Sequence, residues 1–261
     1  MSAKTMVSTI ILTLVMTFME MTAIPASLFC KIEFYDVEPF YFALMVNFLI
    51  AFVLCFLYKV FLVKDWYFGL GTKGLGEGLR KHIWPAILAT LITAAAFYFG
   101  LRPFDYKPTF WKVAIEGVIY YVGVAIMEEL YLRGLLQNFI EKCFGKRKNG
   151  ALYAIFISSI LFGAGHVFGA LDQPVLTIVC KTVWACALGV FFGAIYVVTR
   201  NLWVPICLHF IVDLCGIPYC FKSSSQYPTA ALITCLVVNV LLAVYGVYRM
   251  VQLGTVPPCT E

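Results

Sequence analysis

The stretch Met127-Glu128-Glu129-Leu130-Tyr131-Leu132-Arg133 lies inside an apolar run that extends from Phe110 to about Phe139. Two adjacent carboxylates and a guanidinium thus fall near the middle of a segment long enough to cross a bilayer. A charge at the centre of a membrane helix costs roughly 2.5–3.5 kcal/mol on insertion scales. Groups kept there need partners and a use. Whether this run is a membrane helix decides the fold.

The composition answers the first question. Of 261 residues, 62% are hydrophobic and 13% charged, with a mean hydropathy of +0.90; soluble domains are about half apolar and about a quarter charged. Apolar runs of about 20 residues recur, which suits membrane helices and not the shorter alternating segments of an outer-membrane barrel. Eight candidate segments follow: Met6–Ile24, Phe40–Leu62, Ile83–Leu101, Phe110 to about Phe139, Ala151–Leu171, Pro174–Val198, Leu202–Leu214 and Thr229–Val251. The seventh is short and reads as a broken or cavity-lining helix. The expected fold is an all-α membrane protein, a polytopic bundle of about eight transmembrane helices. One membrane-embedded domain is expected over residues 1–261, with its chemical core at 110–215 and a loose tail at 252–261.

The net charge of +5 fits the positive-inside rule and does not call for nucleic acid. Lys59, Lys64, Lys73, Arg80 and Lys81 lie between the second and third segments, and Lys142, Lys146, Arg147 and Lys148 between the fourth and fifth. This bias puts both termini in the cytoplasm. The Gly-rich loop 64–81 has no GxxxxGK[ST], so it is read as a hinge or a short interfacial helix over Gly76–Lys81. None of the ten cysteines forms a CxxC pair; they are read as small hydrophobes. Met6–Phe18 with Ala23–Ala26 has some features of a signal peptide but reads equally as a first membrane helix.

Histidine is scarce: His82, His166 and His209. His82 lies in the basic loop and is read as a solvated interface residue, whereas His166 and His209 lie inside membrane segments. On a helix, residues i and i+4 share a face and neighbours diverge by about 100°. Glu129 therefore pairs with Arg133, and Glu128 points elsewhere, available as a general base toward water. Phe162 sits one turn before His166 in Phe162-Gly163-Ala164-Gly165-His166, whose small residues let a helix or a peptide backbone come close. His209 and Asp213 form another i, i+4 pair, and Asp213 can fix the tautomer of the ring. Glu20 and Lys181 are read as snorkelling, and Glu116 as close to the outer interface.

Glu128-Glu129-x-x-x-Arg133, Phe162-x-x-x-His166 and His209-x-x-x-Asp213 resemble, in order, the three motifs of the CPBP family. That family comprises CAAX prenyl proteases of the Ras-converting type and bacterial Abi or bacteriocin-processing relatives. The resemblance implies an eight-helix intramembrane endopeptidase that cuts a hydrophobic or membrane-associated peptide. Glu128 and His166 would activate the attacking water. His209 and Asp213 would support the oxyanion or position the site, and Glu129 and Arg133 would hold the helix. Ala170 stands where the prenyl-protease branch often has Asn, and Asp213 ends the third motif in place of Asn. These departures favour the bacterial branch, and a bacterial cytoplasmic membrane ahead of an endoplasmic-reticulum membrane. No cofactor is expected; were zinc present, its ligands would be Glu128, His166 and His209. Two alternatives stay open beside a peptidase: a peptide-binding or bacteriocin-immunity protein that does not cut, and a transporter with a proton relay, against which no repeated half is found.

Overall fold

A computed structural model describes residues 3–22, 32–144, 147, 149–223 and 226–254. Among these residues eight long helices follow one another and no β-strand occurs. They are α1 (Ala3–Thr22), α2 (Pro39–Phe61), α3 (Leu75–Gly100), α4 (Phe110–Phe144), α5 (Gly150–Phe168), α6 (Val175–Thr199), α7 (Trp203–Phe221) and α8 (Thr229–Leu253). All but α1 are long and apolar enough to cross a membrane. Side chains such as Leu91, Ile160 and Val244 stand exposed on outward faces, as helices solvated by acyl chains require. The chain is a multi-pass membrane protein.

Local chemistry sets the helix ends. Thr109 caps α4, its hydroxyl accepting the Lys112 N–H at 3.1 Å, and Asp36 in turn accepts the Thr109 N–H at 3.0 Å. Pro39 opens α2, where its missing N–H is harmless. Gly74 precedes α3 at φ +82°, a conformation glycine adopts without penalty. Arg200 ends α6 in the left-handed region at φ 47°, and its guanidinium forks onto Glu141 at 2.9 and 2.5 Å.

Helix α6 is the hub, with α5 and α8 packed along its length. Close approach requires its glycines. A Cβ on Gly189 would meet Ser159 of α5 at 2.8 Å, and one on Gly193 would meet Gln137 of α4 at 2.7 Å. Helix α4 is irregular: π-helical turns span Val118–Val122 and Leu130–Gln137, the second opening just after Glu129. Helix α7 is α-helical to Asp213 and then narrows to 3₁₀ over Leu214–Phe221, so the seventh segment, expected to be short and to end at Leu214, runs on to Phe221 and is long enough to cross a membrane.

Two expectations need correction. The basic stretch before the third segment is neither a loose hinge nor a separate interfacial helix, because α3 runs unbroken from Leu75. The preceding loop is pinned to the α6–α7 turn: Asn201 donates to the Gly71 and Lys73 carbonyls at 2.8 and 2.9 Å, and the Trp203 indole to the Leu70 carbonyl at 2.7 Å. His82 is not solvated but fully buried, 3.0 Å from the Tyr245 hydroxyl. That hydroxyl donates to the Lys81 carbonyl, so His82 Nδ1 is the donor to it. Glu116 is near an end of its helix, yet buried; it accepts from Lys112 Nζ and from the Glu38 N–H, both at 2.9 Å. Residues Ala23–Ala26 and the tail beyond 254 lie outside the described residues; α8 itself continues to Leu253. The eight described cysteines are free thiols.

Candidate active site

Helix α4 presents its carboxylates to α7 and its Arg133 and Gln137 to α6. Glu129 and Arg133 form the ion pair their spacing expects, Oε1 to Nη1 at 3.1 Å, and both are nearly inaccessible. Arg133 Nη2 reaches across to the Gly189 carbonyl at 3.0 Å. One turn on, Gln137 Nε2 reaches the Gly193 carbonyl at 3.2 Å. Two side chains a turn apart on α4 thus bond two carbonyls a turn apart on α6, each using the lone pair the helix leaves over. The guanidinium also lies between two rings, 5.6 Å from the centroids of Phe162 and Phe192, within the range of cation–π attraction.

His209 of α7 meets this pair. Its Nδ1 lies 2.8 Å from Glu129 Oε1. Its Nε2 lies 3.4 Å from Glu128 Oε2 and 3.5 Å from Asp213 Oδ2. A carboxylate in an ion pair only accepts, so Nδ1 carries a proton toward Glu129. Three carboxylates thus surround one imidazole, with Arg133 the nearby fixed positive charge. A doubly protonated His209 would bring the five groups closest to neutrality. The ring stacks on Phe192, with centroids 4.6 Å apart and planes 21° apart.

His166 is turned differently. Its Nδ1 is 3.1 Å from the Phe162 carbonyl, which can only accept, so Nδ1 carries the proton and Nε2 is left as an acceptor. Its ring sits edge-on to Phe162 at 4.6 Å. Glu128, Glu129, Arg133 and His209 are buried, while His166 and Asp213 keep part of their surface exposed. The small residues before His166 divide their work. A Cβ on Gly163 would strike Cys186 and the Thr182 carbonyl of α6, whereas one on Gly165 would meet nothing within 4 Å.

The seven residues singled out in the sequence therefore fall into two linked groups. Glu128, Glu129, Arg133, His209 and Asp213 are joined by ion-pair distances; Phe162 and His166 attach through the Phe162 ring over Arg133. Asp213 does not hold the imidazole alone, because Glu129 makes the shorter contact on the other nitrogen. Phe192 and Gly189 went unremarked in the sequence. The spacing Gly189-x-x-x-Gly193 could have marked α6 as a close-packing helix; nothing in one sequence signals the ring stacked on His209. Among the described residues, no group of three or more His, Cys, Asp and Glu side chains is arranged to hold a metal ion. The donor set Glu128, His166 and His209 does not fit zinc.

Residues 109–215 match the family model described as type II CAAX prenyl endopeptidase, Rce1-like. No curated protein matches the chain.

Proposed function

We propose, from the match of residues 109–215 to the Rce1-like family model of type II CAAX prenyl endopeptidases, that the chain is a CAAX-type intramembrane endopeptidase that cuts a hydrophobic or membrane-associated peptide with water activated by a glutamate. The observation that carries the mechanism is the Glu128 carboxylate 3.4 Å from His209, with Arg133 held between the Phe162 and Phe192 rings nearby.

Glu128 takes a proton from water as the oxygen attacks the scissile carbonyl. His166, with Nδ1 engaged by the Phe162 carbonyl, offers Nε2 as the second acceptor for that water. His209, charged within its ring of carboxylates, donates from Nε2 to the developing oxyanion. Asp213 holds the ring and does not itself donate while ionised. The proton on Glu128 then passes to the leaving amine. Glu129 fixes the tautomer of His209, and Arg133 neutralises Glu129. Ala170 and Asp213, where the prenyl-protease branch often has Asn, favour an unprenylated peptide in a bacterial cytoplasmic membrane. The distribution of Lys and Arg supports both termini facing the cytoplasm.

The test uses purified protein in detergent or nanodiscs with a library of hydrophobic peptides, prenylated and not, read by mass spectrometry. Cleavage by the wild-type chain and none by Glu128→Gln, at equal protein level, is the expected result. Full cleavage by Glu128→Gln would end the glutamate mechanism.

A further inference from the structure

The last turns of α2 and the loop that follows it enclose a cavity of about 350 Å³, a volume in the range of small-ligand sites. None of its lining residues belongs to the candidate active site. Two of them, Lys59 and Lys64, are cations, and among the described residues no acidic side chain lines the cavity with them. The Lys59 ammonium donates to the Lys64 carbonyl at 2.5 Å, so the helix end is folded back onto the residue that carries the second charge. The loop adds further donors. Gly69, Leu70 and Gly71 also line the cavity. Their carbonyls accept from the α6–α7 turn: Gly69 from the Leu202 N–H at 2.9 Å, Leu70 from the Trp203 indole and Gly71 from the Asn201 amide. Their N–H groups have no acceptor among the described residues. Neighbouring backbone N–H groups in a loop favour an anion, and a loop pinned at three carbonyls offers them already ordered.

The remaining wall is apolar. Phe56 and Val60 line the cavity and are exposed. On α2 they continue a stripe begun by Leu49 and Val53, which are exposed as well. At 100° per residue the four positions lie within about 60° of one another, so one outward face of the helix leads into the cavity. An acyl chain laid on that face would bring its headgroup to Lys59 and Lys64. A free phosphate would use the cations and the N–H groups but leave Phe56 and Val60 uncovered. Basic pockets on the membrane side where lysine and arginine collect are where anionic headgroups bind.

We infer that this cavity binds an anionic phospholipid, with the phosphate held by Lys59, Lys64 and the loop N–H groups and an acyl chain laid along Leu49, Val53, Phe56 and Val60. The inference does not rest on the peptidase reading. The loop that forms the cavity is also bonded to the helices of the candidate active site: the Tyr67 carbonyl accepts from the Asn138 amide of α4 at 3.1 Å and from the Tyr196 hydroxyl of α6 at 3.0 Å. A bound lipid therefore braces the end of α2 against α4, α6 and α7, and stabilises the folded bundle by mass action.

The test titrates three probes onto the purified full chain in detergent and counts bound molecules by native mass spectrometry: phosphatidylglycerol, phosphatidylcholine with the same acyl chains, and glycerol phosphate with none. One phosphatidylglycerol per chain is expected, bound about thirtyfold tighter than phosphatidylcholine, the scale of two lysines against an anionic headgroup. Glycerol phosphate should bind no tighter than phosphatidylcholine. Lys59→Gln combined with Lys64→Gln should erase the preference. Lys73→Gln combined with Arg80→Gln removes the same charge from the same stretch outside the cavity and should keep it. Equal binding of the two lipids, or a preference that survives loss of Lys59 and Lys64, would overturn the inference. An equal fall in both double variants would overturn it too, by making the stretch a diffuse basic surface. Glycerol phosphate bound as tightly as phosphatidylglycerol would overturn it in favour of free phosphate. Should the Lys59 and Lys64 double variant fail to fold, Lys64→Gln alone, at an exposed position, should lower the preference about fivefold, and an unchanged preference would sink the proposal.

Discussion

Helix α4 carries two ion pairs of the same spacing and puts them to different ends. Lys112 and Glu116 lie near its start, Nζ to Oε1 at 2.9 Å, with Lys112 also 3.4 Å from Glu38. Glu129 and Arg133 lie deeper, at 3.1 Å. The first pair is a clasp: Glu116 accepts the Glu38 N–H just before α2, so the pair ties two helix starts together, and Lys112 keeps some exposure. The second is shut in, and its carboxylate is shared with an imidazole. What differs is not the pairing but the extra carboxylate beside it. Glu128 has no counterpart next to Glu116, where the neighbours are Ile115 and Gly117. An i, i+4 pair alone is structure; an i, i+4 pair with a second acid and a histidine is where we propose the chemistry.

The largest effect should come from the residue that breaks the symmetry. Glu128→Gln should lower peptide cleavage by about a thousandfold, within the range for losing a general base, with thermal unfolding unchanged; retained activity would reduce both pairs to clasps. Next comes the contrast between the two partners. Glu129→Gln leaves Arg133 buried without its counter-charge and should cost about 3–5 kcal/mol of stability. Glu116→Gln, with Lys112 still able to reach Glu38, should cost about 1 kcal/mol. Unfolding of both variants in the same detergent measures the gap, and equal losses would mean that depth does not separate the pairs. Smaller again is Phe192→Leu. Losing the ring stacked on His209 should lower kcat about tenfold, the upper scale of an aromatic contact, with KM kept; a change in KM alone would place Phe192 in substrate binding.

The smallest effect lies outside the membrane segments. Lys222 Nζ, followed by the Ser223 N–H and hydroxyl, holds the exposed Asp105 carboxyl down at about 2 from 3.8. A pKa lowered on folding means stabilisation that is present above the unfolded value and fades as pH falls through the folded one. The difference in melting temperature between wild type and Asp105→Asn should therefore be constant above 3.8 and shrink toward pH 2. A difference that does not change over that window would show that the contact is not formed.

Much of the fold was legible because membrane length is written in apolar runs. All eight helices overlap the apolar runs that hydropathy marks, but α7 continues as 3₁₀ past the expected end at Leu214 to Phe221. The start of α3 was misplaced because Arg80, Lys81 and His82 look like loop residues. Burial of His82 depends on Tyr245, 163 positions away, which no local pattern reports. At the site, the three i, i+4 spacings were legible and the convergence on His209 was not. An angle counted at 100° per residue along α4 drifts through the π-helical turn Val118–Val122, so the direction of Glu128 relative to Glu116 could not be read from spacing. Phe192 gave no signal at all, since a phenylalanine in an apolar helix looks the same stacked on an imidazole or facing lipid.

The wide turn over Leu130–Gln137 holds one residue more than α-helical winding would use. The same residues wound as ordinary α-helix would overshoot by that one residue. Everything beyond would then swing by about 100°, carrying Gln137 away from Gly193 and Asn138 away from the Tyr196 hydroxyl it meets at 2.9 Å. Spare length in this one coil sets the azimuth between the acids and the far end of the helix, so straightening it to α-helix without removing a residue would unseat the bundle.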